Sequence, residues 1–194
     1  FVQIGSSDEY GDLPAPQSEE MRESPISPYS LAKESTTQLL QMLAKTEKFP
    51  AVILRLFLVY GPRQDERRFL PQIIKGCLAD TQFSTSAGEQ LRDFCFVDDI
   101  TDGILKSLKN DKVNGEVINL ASGKPIKIRE IIEVVQKVIG KGTPEFGKIP
   151  YRVGENMMLY ADISKAVALL GWEPLVILEQ GIVKTVNYWE RRVI

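Results

Sequence analysis

The amino-acid sequence predicts an α/β fold with a parallel β-sheet, and three observations support this prediction. Short apolar segments of strand character alternate along the chain with longer amphipathic segments of helical period. Residues 51–57 (AVILRLF) form an almost continuous apolar run, which is typical of a strand buried on both faces of a parallel sheet. Hydrophobic residues occupy 43% of the 194 positions, which is enough to fill a core.

The first part of the chain contains a strand, a long loop and a well-marked helix. Residues 1–5 are apolar and strand-like, and the polar, proline-rich segment 11–28 is typical of a loop. Ser27 stands where a helix N-cap is expected and Pro28 at the first helical position. The periodic segment after them predicts a helix that runs to about Lys45.

The rest of the chain continues the alternation of strands and helices. Asp98 or Asp99 is expected to cap a helix that ends near Leu108. Gly140 is expected to close a helix that begins at Ile128. The further predicted strands are 82–85, 93–97 and 116–120, and the further predicted helices are 69–78, 163–170 and 178–189.

Composition and charge exclude several classes of function. Lys and Arg (24) nearly balance Asp and Glu (26), which argues against a nucleic-acid binder or a polybasic membrane partner. The chain contains no His, so imidazole-based triads and His-ligated zinc are excluded, and no metal site is expected. No apolar run approaches the roughly 18 residues that span a bilayer. We expect buried thiols at Cys77 and Cys95 and a reducing, cytoplasmic setting. We also expect packing roles for Met157, Met158 and Trp172.

Tyr29 and Lys33 are candidates for acid–base chemistry. They are spaced i, i+4 at the start of the first predicted helix, so their side chains share one face. A nearby ammonium group favours the phenolate and lowers a phenol pKa that is about 10 when unperturbed. Tyr29 can then exchange a proton with a substrate hydroxyl or carbonyl. The same spacing also occurs on helices whose Tyr and Lys are only solvated, so the pair needs support from its surroundings.

A hydroxyl at the end of the first predicted strand supplies that support. Ser6 stands at the carboxyl edge, where open α/β sheets place ligand sites, and can hydrogen-bond the oxygen that Tyr29 protonates. The positions that together match a known pattern of type, order and spacing are Ser6, Tyr10, Gly11, Tyr29 and Lys33. In this pattern the sequence resembles the extended short-chain dehydrogenase/reductase family, the NAD-dependent epimerase/dehydratase group that acts on nucleotide sugars. The resemblance implies the C-terminal part of a doubly wound Rossmann-type parallel sheet, with a smaller α/β substrate-binding lobe.

The resemblance extends to the C-terminus and implies the cofactor and the lobes. It implies NAD or NADP held by Tyr29, Lys33 and Phe57, a nucleoside-diphosphate sugar as substrate, and a cytoplasmic homodimer. Phe69 resembles the start of the family's substrate-binding helix. The segments expected in the cofactor-binding domain are 1–60 and 98–125, and those expected in the substrate lobe are 61–97 and 126–194.

Two arginines resemble the family's phosphate-binding residues. The resemblance implies that Arg92 and Arg152 contact the sugar-nucleotide diphosphate and that Glu155 meets the ribose. A guanidinium group suits this role because it keeps its charge and binds phosphate oxygens bidentately. The alternative is that each arginine forms an ordinary ion pair, Arg92 with Asp93 and Arg152 with Glu155.

The segment after Ser6 bears on which reaction is run. Three reactions share the predicted apparatus: 4-epimerisation, 4,6-dehydration and 4-keto reduction. Dehydration needs a further acid–base pair, and the sequence offers Asp8, with Glu9 as a weaker candidate, because Ser7 stands where the family's dehydratases often place an acid. We therefore expect reduction or epimerisation at the sugar C4. A 4,6-dehydratase and a non-catalytic scaffold relative are the alternatives.

The start of the chain is expected to lie inside a longer protein. The sequence opens directly in strand-like residues without Met, and it contains neither GxGxxG nor GxxGxxG. We therefore expect an upstream part that carries the glycine-rich dinucleotide motif. The chain as given is accordingly expected not to retain NAD or NADP and to be inactive by itself.

Overall fold

The computed structural model describes residues 1–193, in which strands and helices alternate. The helices are α1 (Pro28–Glu47), α2 (Phe69–Leu78), α3 (Val97–Leu108), α4 (Ile128–Ile139), α5 (Ser164–Leu170) and α6 (Leu178–Val193). The strands are β1 (Val2–Ser6), β2 (Val52–Leu56), β3 (Leu58–Tyr60), β4 (Gln82–Ser84), β5 (Leu91–Phe96), β6 (Val117–Leu120), β7 (Pro125–Lys127), β8 (Thr143–Glu145) and β9 (Met158–Leu159). The predicted α/β class is confirmed.

A three-stranded parallel sheet positions the predicted catalytic residues. Its strand order is β1-β2-β6, so the strand that ends in Ser6 lies beside the strand that carries Arg55. In this register Gly5 pairs with Arg55, and Arg55 pairs with Asn119 on β6. Because the three strands run in one direction, their carboxyl ends meet at a single edge, where ligand sites of parallel sheets lie.

A second sheet carries the residues predicted to bind phosphate. Its order is β3-β5-β7, with β9 also paired to β5, and β4 and β8 form a separate parallel pair. Arg92 on β5 lies opposite Ile126 on β7 and Leu159 on β9. This arrangement brings the segment that precedes β9, which contains Arg152 and Glu155, towards the phosphate-binding candidate on β5.

Two large hydrophobic clusters fill the interior of the described chain. Burial of each such aliphatic side chain contributes roughly 1.5–3 kcal/mol to the free energy of unfolding. The first cluster packs β2 and β6 against α3 and the turn after α5, through Leu54, Ile100, Ile118, Leu120 and Trp172. The second packs α2, α4 and α6 over β3 and β5, through Tyr60, Ile74, Phe96, Ile131 and Ile182.

The signals for helix ends differ in how well they predict the structure. Ser27 caps α1 as predicted, because its Oγ accepts from the Ser30 backbone N–H at 3.1 Å. Gly140 closes α4 in the left-handed conformation that favours glycine, with φ of 74°. The prediction that Asp98 or Asp99 caps α3 is wrong. The helix begins at Val97 directly after β5, so both acids lie within its first turn.

Asp99 instead fastens a distant segment to α3. Its carboxylate accepts from the backbone N–H groups of Leu175 and Val176, each at 3.0 Å. The indole Nε1 of Trp172 donates to the Asp99 carbonyl at 2.9 Å, and Trp172 is fully buried as predicted. These three bonds hold the segment between α5 and α6 against the start of α3.

The remaining packing predictions divide by side-chain type. Cys77 and Cys95 are buried free thiols, as predicted. The prediction that Met157 and Met158 are packing residues is wrong, because their side chains are 39% and 44% exposed. The short strand β9 pairs with β5 alone, and the side chain of Met158 on it is partly open to solvent.

Candidate active site

Ser6 ends β1 and opens a tight 3-10 turn, Ser7–Tyr10. The backbone N–H of Asp8 donates to Ser6 Oγ at 3.2 Å, and the backbone N–H of Ser6 donates to Glu9 Oε1 at 2.8 Å. This reciprocal capping fixes the backbone on both sides of the Ser6 hydroxyl. The hydroxyl proton of Ser6 is not used in these bonds, so it can be donated to a substrate oxygen.

Tyr29 and Lys33 lie in the first two turns of α1, next to β1. Lys33 Nζ donates to the carbonyl of Ile4 at 2.8 Å and lies 5.8 Å from the centroid of the Tyr29 ring. The Tyr29 side chain is 56% exposed, so a ligand at this edge of the sheet can reach its hydroxyl. The structure therefore places the ammonium group between the phenol and the strand that ends in Ser6. The catalytic roles of these residues stay predictions.

A buried ionic network lies directly beneath the Ser6 turn. We call Glu9, Glu23, Thr37 and Arg55 the Glu9 network. Arg55 Nε donates to Glu9 Oε2 at 3.0 Å, and Arg55 Nη2 donates to Glu23. The Thr37 hydroxyl also donates to Glu9 Oε2, at 2.8 Å. Glu9 is fully buried and bonded at both oxygens, so it is not available as the second dehydration acid that the sequence had offered.

Two side chains in and beside the Glu9 network have shifted pKa values. Burial lowers the pKa of Arg55, but Tyr10 and Glu9 outweigh burial and raise it above its usual value, so the guanidinium stays charged. Burial raises the pKa of Tyr10 to about 12, and its hydroxyl donates to Asn119 Oδ1 at 2.8 Å. Tyr10 is therefore held neutral and is unsuited to proton transfer near neutral pH.

Arg92 forms an ion pair with Glu155, which neither predicted alternative contained. Its Nη2 donates to Glu155, and its Nη1 donates to the Leu91 carbonyl at 2.8 Å. Burial is the main cause that lowers the pKa of Arg92, while Glu155 and the nearby Asp8 act against it. Asp8 thus lies close enough to Arg92 to affect it electrostatically, which joins the Ser6 turn and the phosphate-binding candidate in one region.

The two alternative ion pairs of the sequence prediction are wrong. Asp93 does not pair with Arg92, because its carboxylate accepts from Ser122 Oγ and N at 2.6 Å, Gly123 N at 2.9 Å and Ala161 N at 3.2 Å. Arg152 does not pair with Glu155 through its side chain. The Glu155 backbone N–H donates to the Arg152 carbonyl at 3.1 Å, and the Arg152 side chain is exposed. Arg152 is accordingly free to meet a phosphate.

The two predicted aromatic contacts occupy different environments. Phe57, directly after β2, is buried and packs on Tyr10 with ring centroids 6.3 Å apart, so little of it is open to a cofactor. Phe69 opens α2, is partly exposed and lies 6.3 Å from the ring of Phe94. Neither contact tests a ligand-binding role, and both stay predictions.

Residues 1–193 contain neither a metal-binding cluster nor a membrane-spanning helix. No group of three or more Asp, Glu, Cys or His side chains within this range is arranged to hold a metal ion. No helix within the same range combines the length and the apolar character needed to cross a membrane.

Comparison with protein families and curated proteins identifies relatives. The model of the family described as "NAD dependent epimerase/dehydratase family" matches residues 1–121. A UDP-glucuronate 4-epimerase of Thermodesulfobacterium geofontis is 32% identical over 191 residues, which are 97% of this chain and 58% of that protein. A dTDP-glucose 4,6-dehydratase of Escherichia coli is 26% identical over 212 residues, covering 97% and 58%. The chain therefore spans somewhat more than half the length of these relatives.

Solved structures agree with this result. A UDP-glucuronic acid 4-epimerase of Bacillus cereus, in complex with UDP-glucuronic acid and NAD, matches with a TM-score of 0.87 and 37% identity. The match covers 99% of this chain and 62% of that one. A UDP-glucose 4-epimerase of Thermotoga maritima, with UDP-glucose, gives a TM-score of 0.92 and 29% identity over 100% and 64% of the two chains.

Proposed function

The chain belongs to the NAD dependent epimerase/dehydratase family, and on that premise we propose that the whole protein transfers a hydride at C4 of a nucleoside-diphosphate sugar. The observation that carries the proposal is the bond from Lys33 Nζ to the Ile4 carbonyl, which ties the helix that carries Tyr29 to the strand that ends in Ser6. Tyr10 and Glu9 in the turn after Ser6 do not compete for this role, because both are buried and hydrogen-bonded.

Each of the three residues has a defined part in the proposed reaction. Tyr29 removes the proton of the C4 hydroxyl when the sugar is oxidised and returns it when the 4-keto group is reduced. Lys33, whose Nζ lies 5.8 Å from the centroid of the Tyr29 ring, places a positive charge beside the reacting groups. Ser6 donates a hydrogen bond to the same C4 oxygen and so holds it for transfer.

The residues at this edge fit the nicotinamide half of NAD or NADP. Lys33 has three donors, of which one is used on Ile4 O, so the others can hold the ribose hydroxyls. Tyr29 is exposed beside it, and Phe57, although buried against Tyr10, is the third residue proposed to contact the cofactor. The nicotinamide, when bound, supplies the acceptor and donor of the hydride.

The substrate diphosphate is proposed to meet Arg92 and Arg152. In the structure Arg92 is paired with Glu155, so the phosphates have either to share the Arg92 guanidinium with the Glu155 carboxylate or to displace that carboxylate. Glu155 is then available to accept from the ribose hydroxyls, as the family resemblance implies. Phe69, partly exposed at the start of α2, is proposed to line the substrate lobe.

We propose epimerisation or 4-keto reduction, without loss of water, as the reaction. Dehydration calls for two positioned proton carriers besides Tyr29. Asp8 is exposed and is one candidate, but Ser7 is a buried hydroxyl and Glu9 is engaged by Arg55 and Thr37. A 4,6-dehydratase remains the second candidate because of the likeness to the Escherichia coli enzyme.

The test is product analysis of the whole protein with NAD and either UDP-glucose or UDP-glucuronic acid, by chromatography and mass spectrometry. Epimerisation gives a separable product of unchanged mass. Reduction is tested with NADPH and a nucleoside-diphosphate 4-keto sugar, which should gain two hydrogens. A product lighter by one water contradicts the proposal and makes Asp8 the dehydration acid.

We further propose two lobes and a cytoplasmic homodimer. Segments 1–60 and 98–125 form the cofactor domain, and 61–97 and 126–194 the substrate lobe. The cluster formed by α2, α4 and α6 supports this division, because all three helices lie in the substrate-lobe segments. Leu31, Leu39 and Met42 on α1 are each about half exposed and support a dimer through this helix. Sedimentation of the whole protein and of Leu39→Glu tests the assembly.

A further inference from the structure

The carboxylate of Glu9 lies where the strand that ends in Ser6 meets the helix that carries Tyr29. One of its oxygens accepts from the Ser6 backbone N–H at 2.8 Å. The other accepts from the hydroxyl of Thr37, on α1, at 2.8 Å. The carboxylate also packs against the backbone, since a Cβ added to Gly5 would lie 2.7 Å from Glu9 Oε1. Glu9 thus joins β1 and α1 through bonds that are buried at both ends.

Thr37 belongs to the same face of α1 as the predicted catalytic pair. It follows Lys33 by four residues and Tyr29 by eight, so the three side chains lie one above another. The axial distance from Tyr29 to Thr37 is about 12 Å at 1.5 Å per residue. A hydrogen bond from Thr37 to the turn after β1 therefore fixes the distance between this face of α1 and the end of β1.

The bond from Thr37 is not needed to neutralise the buried carboxylate. Arg55 Nε already binds Glu9 Oε2 at 3.0 Å and brings the opposite charge. The Thr37 hydroxyl adds a contact to a third element, the helix. The other tether between α1 and β1, from Lys33 Nζ to Ile4 O, is exposed, and in the proposed function Lys33 is shared with the cofactor.

We propose that Thr37 and Glu9 are positioning residues that set the distance between the hydroxyls of Tyr29 and Ser6. The inference rests on the proposed function and assigns it two residues that touch neither substrate nor cofactor. Proton transfer depends steeply on such distances, and a displacement of about 1 Å can cost up to 10²-fold in rate. Loss of the tether is therefore expected to lower kcat and to leave substrate binding almost unchanged, because Arg92 is held by Leu91 and Glu155 and not by α1.

The test uses three variants of α1 in the whole protein. Thr37→Val keeps the shape of the side chain and removes the hydroxyl; Glu9 keeps its bonds to Arg55 and Ser6, so the variant is expected to fold. Thr37→Ser restores the hydroxyl. Thr36→Val is the matched control, because the Thr36 hydroxyl donates only within the helix, to Ala32 O at 2.8 Å.

We expect Thr37→Val to lower kcat roughly tenfold with KM changed less than about twofold, and Thr37→Ser to recover most of the loss. Thr36→Val should retain the wild-type kcat. A kcat for Thr37→Val equal to that of Thr36→Val, with wild-type turnover intact, overturns this inference alone. Absence of turnover in the wild-type protein overturns the proposed function and this inference with it.

Discussion

Replacement of Arg92 by Ala should weaken the binding of a nucleoside diphosphate by a measurable and bounded amount. A hydrogen bond to a charged group contributes about 1.5–3 kcal/mol, which corresponds to roughly a 10- to 150-fold rise in Kd. The structure favours the lower part of this range. Arg92 is already bonded to Glu155 and to the Leu91 carbonyl, so the ligand exchanges one partner for another instead of gaining a new one.

Isothermal titration calorimetry of the whole protein with UDP and with dTDP measures this effect. Arg92→Lys is the matched variant: it keeps the charge but loses the bidentate fork, so an intermediate Kd is expected. The loss should also shrink as salt is raised, because the lost interaction is between charges. An unchanged Kd in Arg92→Ala, with the protein still folded, would refute the phosphate role and leave Arg92 as a structural partner of Glu155.

Three further predictions test the site and the network beneath it. Tyr29→Phe should lower kcat by at least about 10²-fold with little change in KM, and steady-state turnover near the wild-type value would end its assignment as the acid–base group. Glu9→Ala should lower the free energy of unfolding, measured in urea, by about 3 kcal/mol. This is the low end of the range for a broken buried ion pair, because Arg55 keeps its bond to Glu23. A loss below about 1 kcal/mol would contradict this expectation. The pKa of Tyr10 is raised to about 12, so its neutral form contributes stability that is fully present below pH 10 and is lost as the pH rises towards 12. Denaturation between pH 8 and about 11.5 should therefore show a steeper fall for the wild type than for Tyr10→Phe, and parallel curves would disprove it.

Elements with local signals were predictable from the sequence. The bounds of α2 agree with the prediction at both ends, and the Ser27-Pro28 signal marks the start of α1. Hydrophobic period and capping chemistry act within a few residues, so a single sequence contains them. The start of α3 was misjudged because β5 passes into the helix without a loop, so Phe96 occupies the N-cap position and Asp98 follows it by two residues.

Contacts between distant residues were not predictable in the same way. The partner of Arg92 is Glu155, 63 positions along the chain, and not the adjacent Asp93. Successive side chains on a strand point to opposite faces, so Arg92 and Asp93, neighbours on β5, point away from each other and find different partners. The bonds of Glu9 to Thr37 and Arg55 span 28 and 46 residues. The register of β1 and β2 brings Arg55 to Glu9, and the packing of α1 on this strand and turn brings Thr37.

The fastening of α3 by Asp99 has a consequence for the order in which the chain can fold. Its hydrogen-bond partners lie 73 to 77 residues later in the sequence, so during synthesis these bonds cannot form until the ribosome has released Val176. The pairing of β1 with β2 requires only the first 56 residues and can precede it. Contacts of such long sequence separation close slowly because the loop entropy is lost first. The protein therefore completes the β1–β2 pair, beside the proposed acid–base residues, early and secures the segment after α5 late.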